Sequence, residues 1–213
     1  MARLITFEGI EGSGKTTQLK ILAERLRNEG HEVIVTREPG GCDIADQIRA
    51  ILLDAANHAM APLSELLLYA AARAQHVEQV IRPALAAGKI VLCDRFTDAT
   101  FAYQGHGRQL DRQLIETLNL IATSGIKPDL TLLIDCPVTT GLGRAMARIN
   151  AGSGAREERF ELEAMSFHER VRDGYLELAR REPSRFIIVD GDRSIEATAD
   201  DVASRVIAAL SGD

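Results

Sequence analysis

Gly9-Ile10-Glu11-Gly12-Ser13-Gly14-Lys15-Thr16 is the stretch that decides the fold. It satisfies G-x-x-x-x-G-K-[ST] at every position, and its surroundings are the ones the pattern needs. A β-rich run, 3–8, leads into it. A segment over 16–28 leads out, with Leu19, Leu22, Ala23 and Leu26 on one helical face and Gly30 beyond its end. Glycines let successive backbone N–H groups curl around an anion, and the start of the helix adds positive potential. Lys15 then reaches the β- and γ-phosphates of a nucleoside triphosphate, and the Thr16 hydroxyl can ligate Mg²⁺. Gly9 to Thr17 therefore read as the phosphate site of a nucleoside triphosphate. Glu11 is unusual inside such a loop. A carboxylate beside polyphosphate is costly unless a cation or a hydroxyl stands next to it, so Glu11 either points outward or marks a second substrate close to the phosphates.

Outward from this loop the chain alternates. Further β-rich runs fall at 32–36, 89–94, 130–135 and 186–190, and these four are near-continuous in Val, Ile and Leu, as buried parallel strands are. Helical periodicity fills 44–53, 63–87, 112–122, 139–148, 164–181 and 195–210. The alternation predicts right-handed crossovers and an α/β three-layer sandwich: a five-stranded parallel sheet with helices on both faces. With 213 residues, 46% hydrophobic and 26% charged, one domain over 1–213 is expected, with no repeat and no linker.

Composition removes several function classes. A net charge of −6 argues against a nucleic-acid footprint, and no apolar run is long enough to span a membrane. Cys42, Cys93 and Cys136 are odd in number and far apart, without metal-ligand spacing, which predicts reduced thiols in a cytoplasm. The N-terminus lacks the layout of a signal peptide. Apart from Lys15, Lys20, Lys89 and Lys127 every Lys/Arg cation is arginine, the better fork for phosphate.

A second site is expected beyond the carboxyl ends of the strands, where open α/β sheets bind ligands. Glu8, Asp94 and Asp135 lie on that edge. Asp94 is either a metal ligand acting through water or a cap for the following helix, and Arg95 can bridge donor and acceptor phosphates. Tyr69 and Arg73 are spaced i, i+4, and Thr100, Tyr103 and Gln104 fall at i, i+3, i+4. Such stripes fit a plain core. They equally fit a base pocket, in which Arg73 serves thymine O4 and Thr100 or Gln104 pairs with N3–H. Residues 150–159 are small, glycine-rich and then densely charged, which fits a solvated loop or a mobile lid carrying arginines.

Phe7 to Thr17, Thr36-Arg37-Glu38-Pro39-Gly40-Gly41, Tyr69-Ala70-Ala71-Ala72-Arg73, Asp94-Arg95-Phe96-Thr97-Asp98, Ala102-Tyr103-Gln104-Gly105 and Arg159-Phe160-Glu161, in this order, resemble the bacterial thymidylate kinases. The resemblance runs from Leu4 to about Val189. It implies the P-loop kinase fold with a short lid over about 148–160, transfer of the ATP γ-phosphoryl to dTMP with Mg²⁺, and a homodimer. By position it implies Tyr69 stacked on thymine, Arg73 on the base carbonyl, and Arg49 and Arg95 on the dTMP phosphate. Glu11 would face the 3′-hydroxyl and the metal hydration shell, Thr16 and Asp94 completing the metal site. Tyr103 would crowd the 2′ position, and Phe160 and Glu161 would close over the sugar. The loop has no basic residue between its glycines, so a lid cation is implied, from Arg148, Arg156 or Arg159. The chain departs from the family at Tyr69, where Phe is more frequent, at Ala99 (Ser), Cys42 (Thr) and Phe96 (Tyr or His). The alternatives that the residues leave open are a kinase for another nucleotide or deoxynucleoside, and a P-loop ATPase switch driven by a protein partner.

Overall fold

The computed structural model describes residues 3–151 and 159–211. Five strands, β1 (Arg3–Glu8), β2 (Val33–Arg37), β3 (Ile90–Asp94), β4 (Leu130–Asp135) and β5 (Phe186–Asp190), form one sheet in the order β2-β3-β1-β4-β5. Every pairing is parallel. The helices between them are α1 (Lys15–Asn28), α2 (Asp43–Leu53), α3 (Pro62–His76), α4 (Arg82–Ala86), α5 (Thr97–Thr100), α6 (Arg112–Thr123), α7 (Val138–Ala151), α8 (Met165–Arg181) and α9 (Ile195–Ser211). β1 is central, with β3 on one side and β4 on the other, so the order reverses at its carboxyl end and opens a crevice there.

Strand alternation divides the core between the two faces. Ile5 and Phe7 of β1 join Leu132 and Ile134 of β4 under Leu19, Leu22 and Leu26 of α1 and Val202 and Val206 of α9. On the opposite face Leu4, Val91 and Cys93 meet Val77, Ile81 and Ala84, while Leu133 and Phe186 pack on Val171, Tyr175 and Leu178 of α8. Burying each large aliphatic side chain contributes about 1.5–3 kcal/mol, which is why these faces, and not the loops, fix where the strand ends lie.

Two expectations change in detail. The edge strands β2 and β5 are not buried throughout, since an edge has one neighbour fewer: Val35 is 41% and Ile188 45% exposed. The helix expected over 63–87 is continuous but widens to a π-helical turn at Val77–Ile81, where Arg82 N–H bonds to Val77 O. Pro83 follows directly and can donate no amide to the turn before it. A second π-helical turn, Phe101–Gly107, continues α5. It still brings Thr100, Tyr103 and Gln104 to one cleft.

Candidate active site

The phosphate loop joins β1 to α1 and is shaped by close backbone contact. Gly9 has φ +140 and Gly12 φ +68. A Cβ on Gly9 would overlap the Ile134 carbonyl, and one on Gly12 the Gly141 carbonyl of α7. No side chain fits at either place. Lys15 is buried and donates to Ile10 O at 2.7 Å, which folds it back along its own loop. Burial, and then the Arg95 charge, lower its pKa to about 8 against the pull of Asp94, Glu11 and Glu8. Thr16 donates to Asp94 Oδ2 at 2.5 Å. Asp94 does not cap α5, whose cap position is Phe96. Thr16 and Asp94 thus form a pair of hard oxygen donors at the start of α1, a set suited to Mg²⁺.

Glu11 sits between this loop and the rest of the cleft, and it has the cationic and hydroxyl company its position requires. Arg95 Nη2 donates to it at 3.0 Å and Tyr103 Oη at 2.5 Å. Burial alone would raise Glu11; Arg95, His168, Lys15 and Tyr103 outweigh it and bring the pKa to about 2. His168, fully buried on α8, has its Nδ1 3.5 Å from Glu11 Oε2. Arg95 takes a left-handed backbone, φ +69, with its amide on Phe7 O. Its guanidinium lies 4.7 Å over the Tyr103 ring and donates to Tyr175 Oη. Tyr175 in turn donates to Glu8, and Phe96 N–H donates to the other Glu8 oxygen. Burial first, then Asp98, raise Glu8 to about 8. The strained Arg95 backbone is therefore clamped from both sides, as geometry stored at a functional site must be.

The far end of the cleft is a pocket of aromatic and polar side chains. Tyr69 and Arg73 of α3 line it with Thr100, Tyr103, Gln104 and Phe160. Arg73 is 2% exposed and its bonds are fully specified: Nε to Glu38 Oε2 at 2.7 Å, Nη1 to Asn119 at 2.7 Å and to Thr100 Oγ1 at 2.9 Å, Nη2 to Phe96 O at 3.0 Å. A guanidinium carries five N–H groups, so one on Nη2 is left over. Glu38 is braced by His76 Nδ1 at 2.9 Å, and His76 Nε2 lies 2.6 Å from Thr36 Oγ1. Burial would raise Glu38, but Arg73 and then His76 hold it below its usual range. Arg49 also lines the cleft, donating to Pro39 O.

The lid expectation needs a correction. Arg159 is not a free lid cation: it is 5% exposed, donates to Leu52 O and at 2.7 Å to the buried Glu65, and does not line the cleft. Its neighbours neutralise it, so it has no reason to move toward phosphate. Arg148, on the last turns of α7, does line the cleft, is 68% exposed in its side chain and faces Glu161 at 3.8 Å. Burial, and then Glu11, raise the Glu161 pKa. Arg156 lies outside the described residues.

Sequence reasoning missed Glu38, Glu65, Asn119, His168 and Tyr175 as partners, and Arg144 and Arg193 as further cations on the cleft wall. One signal was there to be found. Glu65, Tyr69, Arg73 and His76 recur at helical spacing on α3, a polar stripe in which Glu65, Arg73 and His76 are buried. Such a stripe survives only if each member has a partner.

The phosphate loop, Glu11, Arg95 and the Tyr69–Arg73 pocket open into one cleft of about 1390 Å³ that runs from Gly12–Gln18 to Tyr69 and Arg73 on one side and to Gly191, Arg193 and Thr198 on the other, while Glu65, Asn119, His168 and Tyr175 support it from behind. A family model described as thymidylate kinase matches residues 7–202. The chain is 64% identical to a thymidylate kinase of Geotalea uraniireducens (strain Rf4) over 210 residues, covering 99% of each chain. It is 66% identical to one of Geobacter sulfurreducens (strain ATCC 51573 / DSM 12127 / PCA) over 203 residues, 95% of each. The crystal structure of thymidylate kinase from Ehrlichia chaffeensis superposes with a TM-score of 0.78 at 36% identity, covering 96% of this chain and 98% of that one.

Proposed function

We infer that this chain, which belongs to the thymidylate kinase family, transfers the γ-phosphoryl group of ATP to dTMP, giving dTDP and ADP. The observation that carries the reading is the single cleft in which a phosphate cradle and a base-sized polar pocket meet across Glu11 and Arg95. An oxygen of the acceptor phosphate attacks the γ-phosphorus while the bond to the β-bridging oxygen breaks. The acceptor is already an anion, so no general base is required, and positioning and charge stabilisation do the catalysis. Lys15 and Arg95 supply fixed positive charge, and Arg49 with Arg95 would hold the dTMP phosphate. Arg148, exposed at the mouth, is the lid cation we favour, with Arg156 as the other candidate.

In the base pocket Tyr69 would stack on thymine and the remaining Nη2 hydrogen of Arg73 would reach O4. Thr100 Oγ1 already accepts from Arg73, so Gln104 is the better partner for N3–H. Tyr103, whose ring packs edge-on to Phe160 at 5.5 Å, would crowd the 2′ carbon, and Glu11 and Glu161 would face the sugar. Mg²⁺ fits the donor set: Thr16 and Asp94 would hold it, with Glu11 in its hydration shell. Bound there, it would neutralise charge developing on the phosphates.

Residues 1–213 are taken as one kinase unit, supported by apolar clusters that share a single sheet. A homodimer is supported by the apolar side chains that α3 and α6 turn outward, Leu63, Leu67, Leu120 and Ile121. Among the described residues no helix is long and apolar enough to cross a membrane, and Cys42, Cys93 and Cys136 are free thiols, which suits a reducing cytoplasm.

The test is ADP release measured with dTMP, dUMP, dCMP, dGMP or UMP as acceptor. dTMP should give the highest kcat/KM, and Lys15→Ala should lower kcat by about 10³-fold or more, as loss of transition-state charge does, with the melting curve retained. ADP formed equally fast without an acceptor would favour the switch instead.

A further inference from the structure

We propose that Glu65, a carboxylate outside the cleft wall, sets the hydrogen-bonding polarity of the base pocket by holding Gln104 with its carbonyl toward the cleft. The pocket then accepts a base with a ring N–H and rejects one with a ring lone pair. The proposal rests on the kinase reading above and names a positioning residue within it.

Glu65 is fully buried on α3 and is surrounded by donors. Gln104 Nε2 lies 2.6 Å from its Oε1, Arg159 Nη1 2.7 Å from its Oε2, and Arg108 reaches both oxygens at 3.3 and 3.1 Å. A carboxylate between two guanidinium groups offers only acceptors. Flipping the Gln104 amide would set its carbonyl oxygen against a carboxylate oxygen of a fully buried side chain, two acceptors with no proton between them, so the amide is locked with its NH₂ on Glu65. Gln104 is 1% exposed yet lines the cleft, and among the described residues nothing donates to its Oε1. What it leaves open to a ligand is therefore an acceptor. Arg73 lines the same cleft, and its spare Nη2 hydrogen is a donor.

A donor next to an acceptor is the complement of the O4 and N3–H edge of thymine or uracil. Cytosine reverses both groups, so its N4 amine meets Arg73 and its N3 lone pair meets the Gln104 carbonyl. A site built to pair with a donor discriminates strongly against a ligand that lacks it. Arg108 and Arg159 balance Glu65 and keep it an acceptor, which gives the buried Arg159 a task in place of the one expected of it in the lid.

The experiment compares Glu65→Gln with Glu65→Asp. The amide at position 65 can donate, so Gln104 is free to flip. In Glu65→Gln, kcat/KM for dTMP and for dUMP should fall together by about tenfold, through KM. The ratio of the dCMP inhibition constant to the dTMP KM should narrow by about tenfold or more, with the ATP KM unmoved. Glu65→Asp remains an acceptor paired with Arg108 and Arg159, so its ratio should stay within about threefold of the parent. An unchanged ratio in Glu65→Gln, or an equal narrowing in Glu65→Asp, overturns the proposal. If Glu65→Gln fails to fold, the ligand-free native protein decides. The glutamine side-chain ¹⁵N signal that disappears in Gln104→Met should already be protected from solvent exchange before dTMP is added, and an unprotected signal overturns the proposal. Native protein that phosphorylates neither dTMP nor dUMP would sink the kinase reading, while the exchange measurement would still report whether Glu65 holds Gln104.

Discussion

Replacing Arg73 by alanine separates what this arginine does for the base from what it does for the fold. Arg73 and Glu38 are 2% and 4% exposed and their pairing distance is 2.7 Å. Without the guanidinium, Glu38 keeps only His76, and Asn119 and Thr100 lose a donor. Breaking a buried pair from one side costs about 3–5 kcal/mol. At roughly 3 °C of Tm per kcal/mol for a chain of this size, that is a drop of about 10–15 °C. Removing both charges, as in Arg73→Met with Glu38→Leu, should recover only part of that loss: no charge is left buried alone, but Asn119, Thr100, Phe96 O and His76 each stay short of a partner. dTMP recognition should not return. In both variants kcat/KM for dTMP should stay at least about tenfold down, about 1.4 kcal/mol, with the ATP KM little changed. The assays are thermal unfolding and steady-state kinetics on the same preparations. A single variant that melts within about 2 °C of the parent would refute the buried pairing. A double variant with normal dTMP kinetics would show that Arg73 does not touch the base.

The lid arginines should part company. Arg148→Ala should lower kcat by about tenfold or more while stability stays within about 0.5 kcal/mol, whereas Arg159→Ala should cost about 2–3 kcal/mol in melting experiments, since Glu65 loses a charged bond inside the protein. Glu11, with its folded pKa near 2 against a usual 4.5, contributes stability that is present above pH 4.5 and lost as pH falls through 2. Glu11→Gln should therefore be less stable than the parent by up to about 3 kcal/mol at pH 7, the gap closing between pH 4.5 and 2 in acid titrations followed by circular dichroism.

The phosphate cradle and the alternation of strands and helices could be read from the sequence because both are local. Gly9 to Thr16 is contiguous, and the apolar runs mark the strands one at a time. Arg159 could not be read in the same way. Its role is set by Glu65, 94 positions earlier in the chain, and nothing in the charged run around it tells a solvent-facing arginine from a buried one. Glu38 was visible only as a letter in a conspicuous run before Pro39; its meaning comes from α3 crossing the end of β2 so that Arg73 and His76 meet it. The π-helical turns escaped a period-based reading as well, since widening by one residue leaves hydrophobic spacing almost unaltered.

The contact between Gly12 and Gly141 makes a fulcrum. Two backbones touch there without side chains, so α7 rests directly on the loop between β1 and α1. Arg148 lies seven residues farther along α7, about 10 Å at 1.5 Å per residue. A tilt of roughly 10° about the contact would swing that end by about 2 Å and leave Gly12 where it is. The arm is short enough to stay stiff, so Arg148 can change its reach across the cleft while the loop at Gly12 keeps its shape.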